Sequence, residues 1–381
     1  MSDAIRPFAI NASDEALEDL RRRLRATRWP EKETVEDWTQ GVPLAYVQEV
    51  CAYWAEKYDW RATEKRLNAF PQFMTEIDGV DIHFIHARSP EPDALPLVIT
   101  HGWPGSIVEF HTVIEPLTNP AKFGGAPADA FHVVAPALPG YGWSGKPTKN
   151  GWSVEKIGEA WATLMARLDY SRYVAQGGDW GAAVTGAIGA QDPGHCAAIH
   201  LNMVIGVRPD PETMNDLTER EKSAIAGLQY YQDWDSGYSK EQSTRPQTVG
   251  YGLVDSPAGL AAWILEKFWA WTDCDGHPEN ALTRDEMLDD IMFYWLPGAG
   301  ASSGRLYWES FGRGGRGNPI QVPVGASIFP REIFRASRRW AEKRFDKIIH
   351  WNELEKGGHF AAFEQPEVFV NEVRTCFRAV R

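Results

Sequence analysis

The segment YVAQGGDWGAAVTGAIGAQ, starting at Tyr173, constrains the fold more than any other part of the chain. An apolar run of strand length enters a glycine-rich turn, Gly177-Gly178-Asp179-Trp180-Gly181, and leaves it through small helix-compatible residues. This pattern reads as a buried strand turning sharply into a helix, with Asp179 at the apex. The same design recurs in LPLVITHGWPGS and in FHVVAPALPGYGWSG from Phe131, and AAIHLNMV from Ala197 is a further strand. Apolar strands alternating with helical segments specify an α/β class: a mostly parallel sheet with helices on both faces.

The pattern is interrupted twice. Residues 1–90 read as an N-terminal extension, helical and then extended. Leu17, Leu20 and Leu24 share one helical face, Val47 to Tyr58 forms a second amphipathic stretch, and Asp78-Gly79 separates two alternating runs as a hairpin turn would. The core begins over residues 91–205. From 206 to 318 the strand pattern stops, and aromatic-rich helical stretches such as GLAAWILEKFW and RDEMLDDIMFYW read as a helical lid inserted in the core. The core resumes over 319–381 with IQVPVGASIF, KIIHWNEL and a terminal helix, PEVFVNEVRTCF.

Composition excludes several classes. A net charge of −13 is wrong for a nucleic-acid binder, and the one dense basic cluster, Arg21 to Arg25, reads as the solvated face of the first helix. The four cysteines, Cys51, Cys196, Cys274 and Cys376, are far apart and form no CxxC pair, so neither zinc nor a disulfide framework is expected. No metal-ligand spacing appears, and no cofactor is expected. The acidic start lacks an apolar signal core, and no run approaches the ~18 apolar residues of a membrane span, so the expectation is a soluble cytoplasmic protein without a membrane anchor. The sequence leaves a homo-oligomer open.

The turn around Asp179 has the G-x-Nu-x-G form that stands a nucleophile clear of a strand end. The alternative is an aspartate that caps a helix among loop glycines. As nucleophile, a carboxylate points to attack on saturated carbon, because the resulting ester can be cleaved by water whereas a serine ether could not. The chain order nucleophile, acid, histidine then places the base at His359, in the turn after KIIHWNEL, and the acid that orients it at Glu332, in the loop after VPVGASIF. His101 is the nearest rival base, and Glu353 and Glu355 read as solvated charges. Backbone N–H groups of Trp103, in HGWPG, and Trp180 are the candidate oxyanion donors.

Taken together, the front segment RPFAINASDEALEDLRRRLRATRWP, HGWPGS, GGDWG, DSGYSKEQSTRPQTVGYGLVDSP, GLAAWILEKF, RLY, FPREIF and GGHFAAFEQPE resemble the microsomal-type epoxide hydrolases, a family that includes the juvenile hormone epoxide hydrolases. The resemblance covers nearly the whole chain. It implies an α/β-hydrolase fold and conversion of an epoxide to a vicinal diol through an ester on Asp179, hydrolysed by water that His359 activates. It further implies that Tyr238 and Tyr307 are the lid tyrosines that hydrogen-bond the epoxide oxygen. Trp234, Trp263, Trp269, Trp271, Trp295 and Trp308 in the lid suggest a small apolar or aromatic epoxide, or else build the lid's own core. A haloalkane or haloacid dehalogenase would share the aspartate but needs halide donors in place of the tyrosine pair. A non-catalytic ligand-binding relative would be expected to have lost the nucleophile or base. A serine esterase is weaker still as a reading, because Asp179 occupies the nucleophile position.

Overall fold

The computed structural model describes residues 3–311 and 319–381; the expected lid end at residue 318 lies outside them. Nine strands form one sheet among the described residues: β1 (Arg6–Phe8), β2 (Gln72–Ile77), β3 (Val80–Ala87), β4 (Leu95–Thr100), β5 (Phe131–Pro136), β6 (Tyr173–Gly177), β7 (Cys196–Leu201), β8 (Val324–Ile328) and β9 (Ile348–Glu353). Their order is β1-β2-β3-β5-β4-β6-β7-β8-β9. Strands β4 to β9 pair in parallel, and β1 to β3 join β5 through antiparallel ladders. The sheet therefore runs on across residue 90. The hairpin forms where Asp78 and Gly79 both take positive φ, +49° and +80°, the conformation a two-residue turn of this kind requires. The edge strand β1 has too few residues to show an alternation, and sequence patterning gave no sign of it.

The helices are α1 (Asp14–Arg25), α2 (Leu44–Glu56), α3 (Trp60–Leu67), α4 (Ile114–Thr118), α5 (Val154–Arg167), α6 (Asp179–Gln191), α7 (Glu219–Tyr230), α8 (Gly237–Thr244), α9 (Pro246–Asp255), α10 (Pro257–Trp271), α11 (Arg284–Trp295), α12 (Gly300–Ser310), α13 (Arg338–Ala341), α14 (Ala361–Glu364) and α15 (Pro366–Phe377). Helix α6 packs on β4, β6 and β7 beside α5, while α15 packs on β7, β8 and β9 beside α4. Helices α7 to α12 make up the segment expected as the lid, inserted between β7 and β8. A π-helical turn, Tyr231–Asp235, carries the chain from α7 toward α8.

The extension braces this lid. Leu17, Leu20 and Leu24 bury one face of α1, while Arg22, Arg23 and Arg25 close its C-terminal turn, where cations suit the helix dipole. Helices α1 and α2 both pack against α10. Tyr58 and Thr63 donate to Asp289 of α11 at 2.7 and 2.5 Å, and Arg66 pairs with the same carboxylate. Tyr53 donates to Asp285 at 2.8 Å and Tyr46 to Glu279 at 2.9 Å. All four cysteines are buried and unpaired. Among the described residues no helix is long and apolar enough to cross a membrane.

Candidate active site

Asp179 sits at the junction of β6 and α6 with φ +50°, a left-handed conformation that costs a non-glycine residue about 1–3 kcal/mol. The turn is that tight because its flanks are bare. A methyl group on Gly181 would collide with the Thr100 carbonyl of β4, and one on Gly177 with the Gly181 carbonyl. Asp179 Oδ1 accepts the Trp103 backbone N–H at 2.8 Å, from the loop after β4. Trp180 is the second residue of α6, where backbone N–H groups lack helical acceptors, so the helix end directs a partial positive charge toward the carboxylate.

Two loops at the ends of neighbouring parallel strands supply the next groups. Glu332 follows β8 and His359 follows β9. The loops are tied by a bridge between Arg331 and Gly358 and by the Arg331 N–H to Gly357 carbonyl bond of 3.1 Å. His359 Nδ1 lies 2.7 Å from Glu332 Oε1, which also accepts the Ile333 N–H at 2.6 Å. His359 Nε2 faces Asp179 Oδ2 at 3.5 Å. The His359 backbone N–H donates to the Trp271 carbonyl at 2.9 Å, fixing the loop to the end of α10. Burial opposes the charged imidazolium. The Glu332 and Asp179 carboxylates on its two sides outweigh that penalty and hold its pKa well above the ordinary histidine value.

Tyr238, in the first turn of α8, and Tyr307, on α12, reach the same place from the lid. The Tyr238 ring stacks on Trp103 with centroids 4.8 Å apart, and its hydroxyl is 3.1 Å from that of Tyr231. Tyr307 meets Trp180 edge-on at 4.7 Å and Tyr238 edge-on at 5.8 Å. Its hydroxyl lies beside the Trp180 indole without forming a hydrogen bond of good geometry among the described residues. Burial raises both phenols well above the usual tyrosine range, so they remain protonated donors.

A cavity of about 570 Å³ touches Asp179, Trp180, Tyr238 and Tyr307. Met203, Val204, Leu228, Phe311, Ile333 and Phe334 give it an apolar wall. None of the six lid tryptophans singled out from sequence lines it: Trp234 is 80% exposed, and Trp271 is buried against His359 and Tyr238. His101 is buried beneath the loop after β4, where its Nε2 accepts the Leu138 N–H at 3.1 Å and burial lowers its pKa to about 4. Glu353 and Glu355 pair with Arg220 away from Asp179.

Sequence reasoning missed Tyr231 and Lys267. The Lys267 ammonium is buried between Asp235 and Glu266, 2.7 Å from each, and lies 4.5 Å from the centroid of the Tyr238 ring. The adjacent charges Glu266 and Lys267, set in the apolar run AAWILEKFW, were the available signal for it.

Comparison with known proteins agrees over the whole chain. The family described as epoxide hydrolase N terminus matches residues 5–110, and the α/β hydrolase fold matches residues 96–248. Epoxide hydrolase 1 of Sus scrofa is 35% identical over 401 residues, covering 98% of this chain and 88% of its own. A Stigmatella aurantiaca protein provisionally named an epoxide hydrolase is 55% identical over 377 residues, covering 99% of this chain and 86% of its own. The crystal structure of juvenile hormone epoxide hydrolase from the silkworm Bombyx mori superposes with a TM-score of 0.89 at 31% identity, covering 99% of this chain and 94% of that one. The Aspergillus niger epoxide hydrolase structure gives 0.90 at 31% identity, covering 99% and 97%. With this similarity running through extension, core and lid alike, the chain belongs to the epoxide hydrolase family of the α/β-hydrolase fold.

Proposed function

We propose that the protein converts a small apolar or aromatic epoxide and water to a vicinal diol through an ester on Asp179. The observation that carries this reading is the setting of the Asp179 carboxylate, with two buried tyrosines lining the same apolar-walled cavity and His359 on its other flank. Asp179 attacks a ring carbon, the C–O bond of the ring breaks, and the departing oxygen takes a proton from Tyr238 or Tyr307. A phenol suits that role because it polarises the oxygen without being charged beforehand.

Ester formation also changes the histidine. It removes the Asp179 charge, one of the two that hold His359 protonated, and so lowers the His359 pKa. The proton released replaces the one lost by the phenol, and His359 becomes a neutral base at the moment a base is needed. Water then adds to the ester carbon, giving one proton to His359. The tetrahedral species, stabilised by the Trp103 and Trp180 N–H groups, collapses and passes the second water proton to the departing diol oxygen. The resting Asp179–imidazolium pair is restored, with Glu332 fixing the ring orientation throughout.

The test is the intact mass of purified His359→Gln after incubation with styrene oxide and, separately, with a chloroalkane. A gain equal to the whole epoxide, lost when Asp179→Ala is added, is expected. An adduct from the chloroalkane alone would favour a dehalogenase. No adduct from either, together with unchanged styrene oxide, would overturn this reading.

A further inference from the structure

Asp179 is flanked by two cavities. The larger one meets it together with Trp180 and the lid tyrosines and contains no residue of the His359 loop. A second, of about 20 Å³, meets it together with His359, Trp103, Gly105, Glu109 and Gln176 and contains no residue of α7 to α12. About 10–15 Å³ of such space holds one water, so this chamber has room for one and not for two. Its polar groups include two that nothing else explains. Gln176 donates to Asn202 at 2.8 Å, but its Oε1 is buried without a partner. Glu109 is the one residue of the helical turn Ile107–Phe110 that is not fully buried, and its carboxyl has no hydrogen-bond partner among the described residues. Room for that carboxyl is made by Gly105, where a methyl group would overlap Glu109 Oε1.

We infer that this chamber holds the water that attacks the ester, and that Glu109 is the positioning residue that aims it at the Asp179 carboxyl carbon and at His359 Nε2. The inference rests on the ester mechanism proposed above. Its physical basis is that the alkyl group of the ester occupies the lid side of Asp179, so water held on the opposite side is in place without any product leaving. Burial, and then the nearby Asp290 carboxyl, raise the Glu109 pKa well above the carboxylate range. That shift favours the neutral acid, which can accept from and donate to a water without repelling Asp179. Asp290 is itself held by the Ser106 hydroxyl at 2.7 Å, which anchors this side of the chamber to α11. In the hydrolytic step a bond forms between the water oxygen and the Asp179 carboxyl carbon, and the bond from that carbon to the alkyl oxygen breaks. The two water protons go to His359 and to the departing oxygen, and Glu109 undergoes no net change.

Rapid-quench mass analysis with styrene oxide separates formation of the ester from its hydrolysis. In Glu109→Met, ester formation should stay within about threefold of the native rate, whereas hydrolysis should fall by about tenfold or more, as expected when a reactant loses its alignment. Glu109→Gln, which keeps a donor and an acceptor, should restore hydrolysis to within about threefold. Unchanged hydrolysis in Glu109→Met, or an equal loss in both steps, overturns the inference. Should Glu109→Met fail to fold, Gly105→Ala, which displaces the carboxyl, is read by the same criteria. His359→Gln in parallel keeps the two claims apart: if it accumulates ester while the Glu109 and Gly105 variants do not, only the water chamber is wrong.

Discussion

The core and the lid hold the groups of the proposed mechanism by different means. On the core side, backbone and charge do the holding: φ +50° at Asp179, the Trp103 N–H at 2.8 Å and Glu332 at 2.7 Å from the histidine. On the lid side, ring packing does it: Tyr238 lies flat on Trp103 and Tyr307 stands edge-on to Trp180. The difference follows from when charge exists. Asp179, Glu332 and the imidazolium carry charge in the resting protein and need fixed partners in a buried site. In the proposed reaction the epoxide oxygen becomes negative only as the ring opens, so neutral phenols in an apolar wall would serve it without stabilising the resting state as strongly.

If the two sides divide the reaction in this way, variants should divide it too. Glu332→Gln should have the largest effect, slowing ester hydrolysis about a hundredfold because His359 loses the anion that orients it and supports its charge. Ester formation should change much less, so the mass of the ester should be seen at steady state. An equal fall in both steps would break the comparison. Tyr238→Phe and Tyr307→Phe should come next, each slowing ester formation about tenfold, since the partner phenol remains to stabilise the oxygen. Hydrolysis of preformed ester should be unaffected in both. Stopped-flow tryptophan fluorescence, reporting on Trp103 and Trp180 beside the ester, would follow the two phases.

The same contrast explains what could be read from sequence. The core groups sit in short segments whose local chemistry is self-announcing: apolar strand, glycines that permit a turn, one ionisable residue at the strand end. Asp179 and His359 are expected on that pattern, and Trp103 from the Gly/Pro turn after the earlier strand in a fold of this kind. The lid groups have no such signature, because a tyrosine on an aromatic helix looks the same whether its hydroxyl points into a cavity or into the core. Tyr238 and Tyr307 were legible only through the family resemblance. Tyr231 sits seven residues before Tyr238, but the π-helical turn Tyr231–Asp235 breaks the regular helix between them, so helical periodicity read from sequence does not pair their hydroxyls. Trp271 and Trp263 pack around Trp103, and Trp234 faces solvent, so of the two readings open for these rings the one that places them in the lid's own packing holds for Trp263 and Trp271.

The smallest effect on chemistry, and a test of how far the lid depends on the rest of the fold, should come from Asp289→Ala. This carboxylate is 1% exposed on α11 and accepts from Tyr58 and Thr63, both buried, as well as from Arg66 at the surface. Burial raises its pKa despite those donors, so the site stabilises the fold by satisfying the extension's hydroxyls more than by ion pairing. Removing it leaves two buried hydroxyls without an acceptor and a gap between extension and lid. The expected loss is about 3 kcal/mol by chemical denaturation, with the Arg66 contribution small because that side chain is 44% exposed. Steady-state diol formation at 25 °C should stay within about threefold, because neither half-reaction uses Asp289. A large loss of ester formation with hydrolysis preserved would show that the extension does more than brace the lid: it would be setting the distance from the lid tyrosines to Asp179.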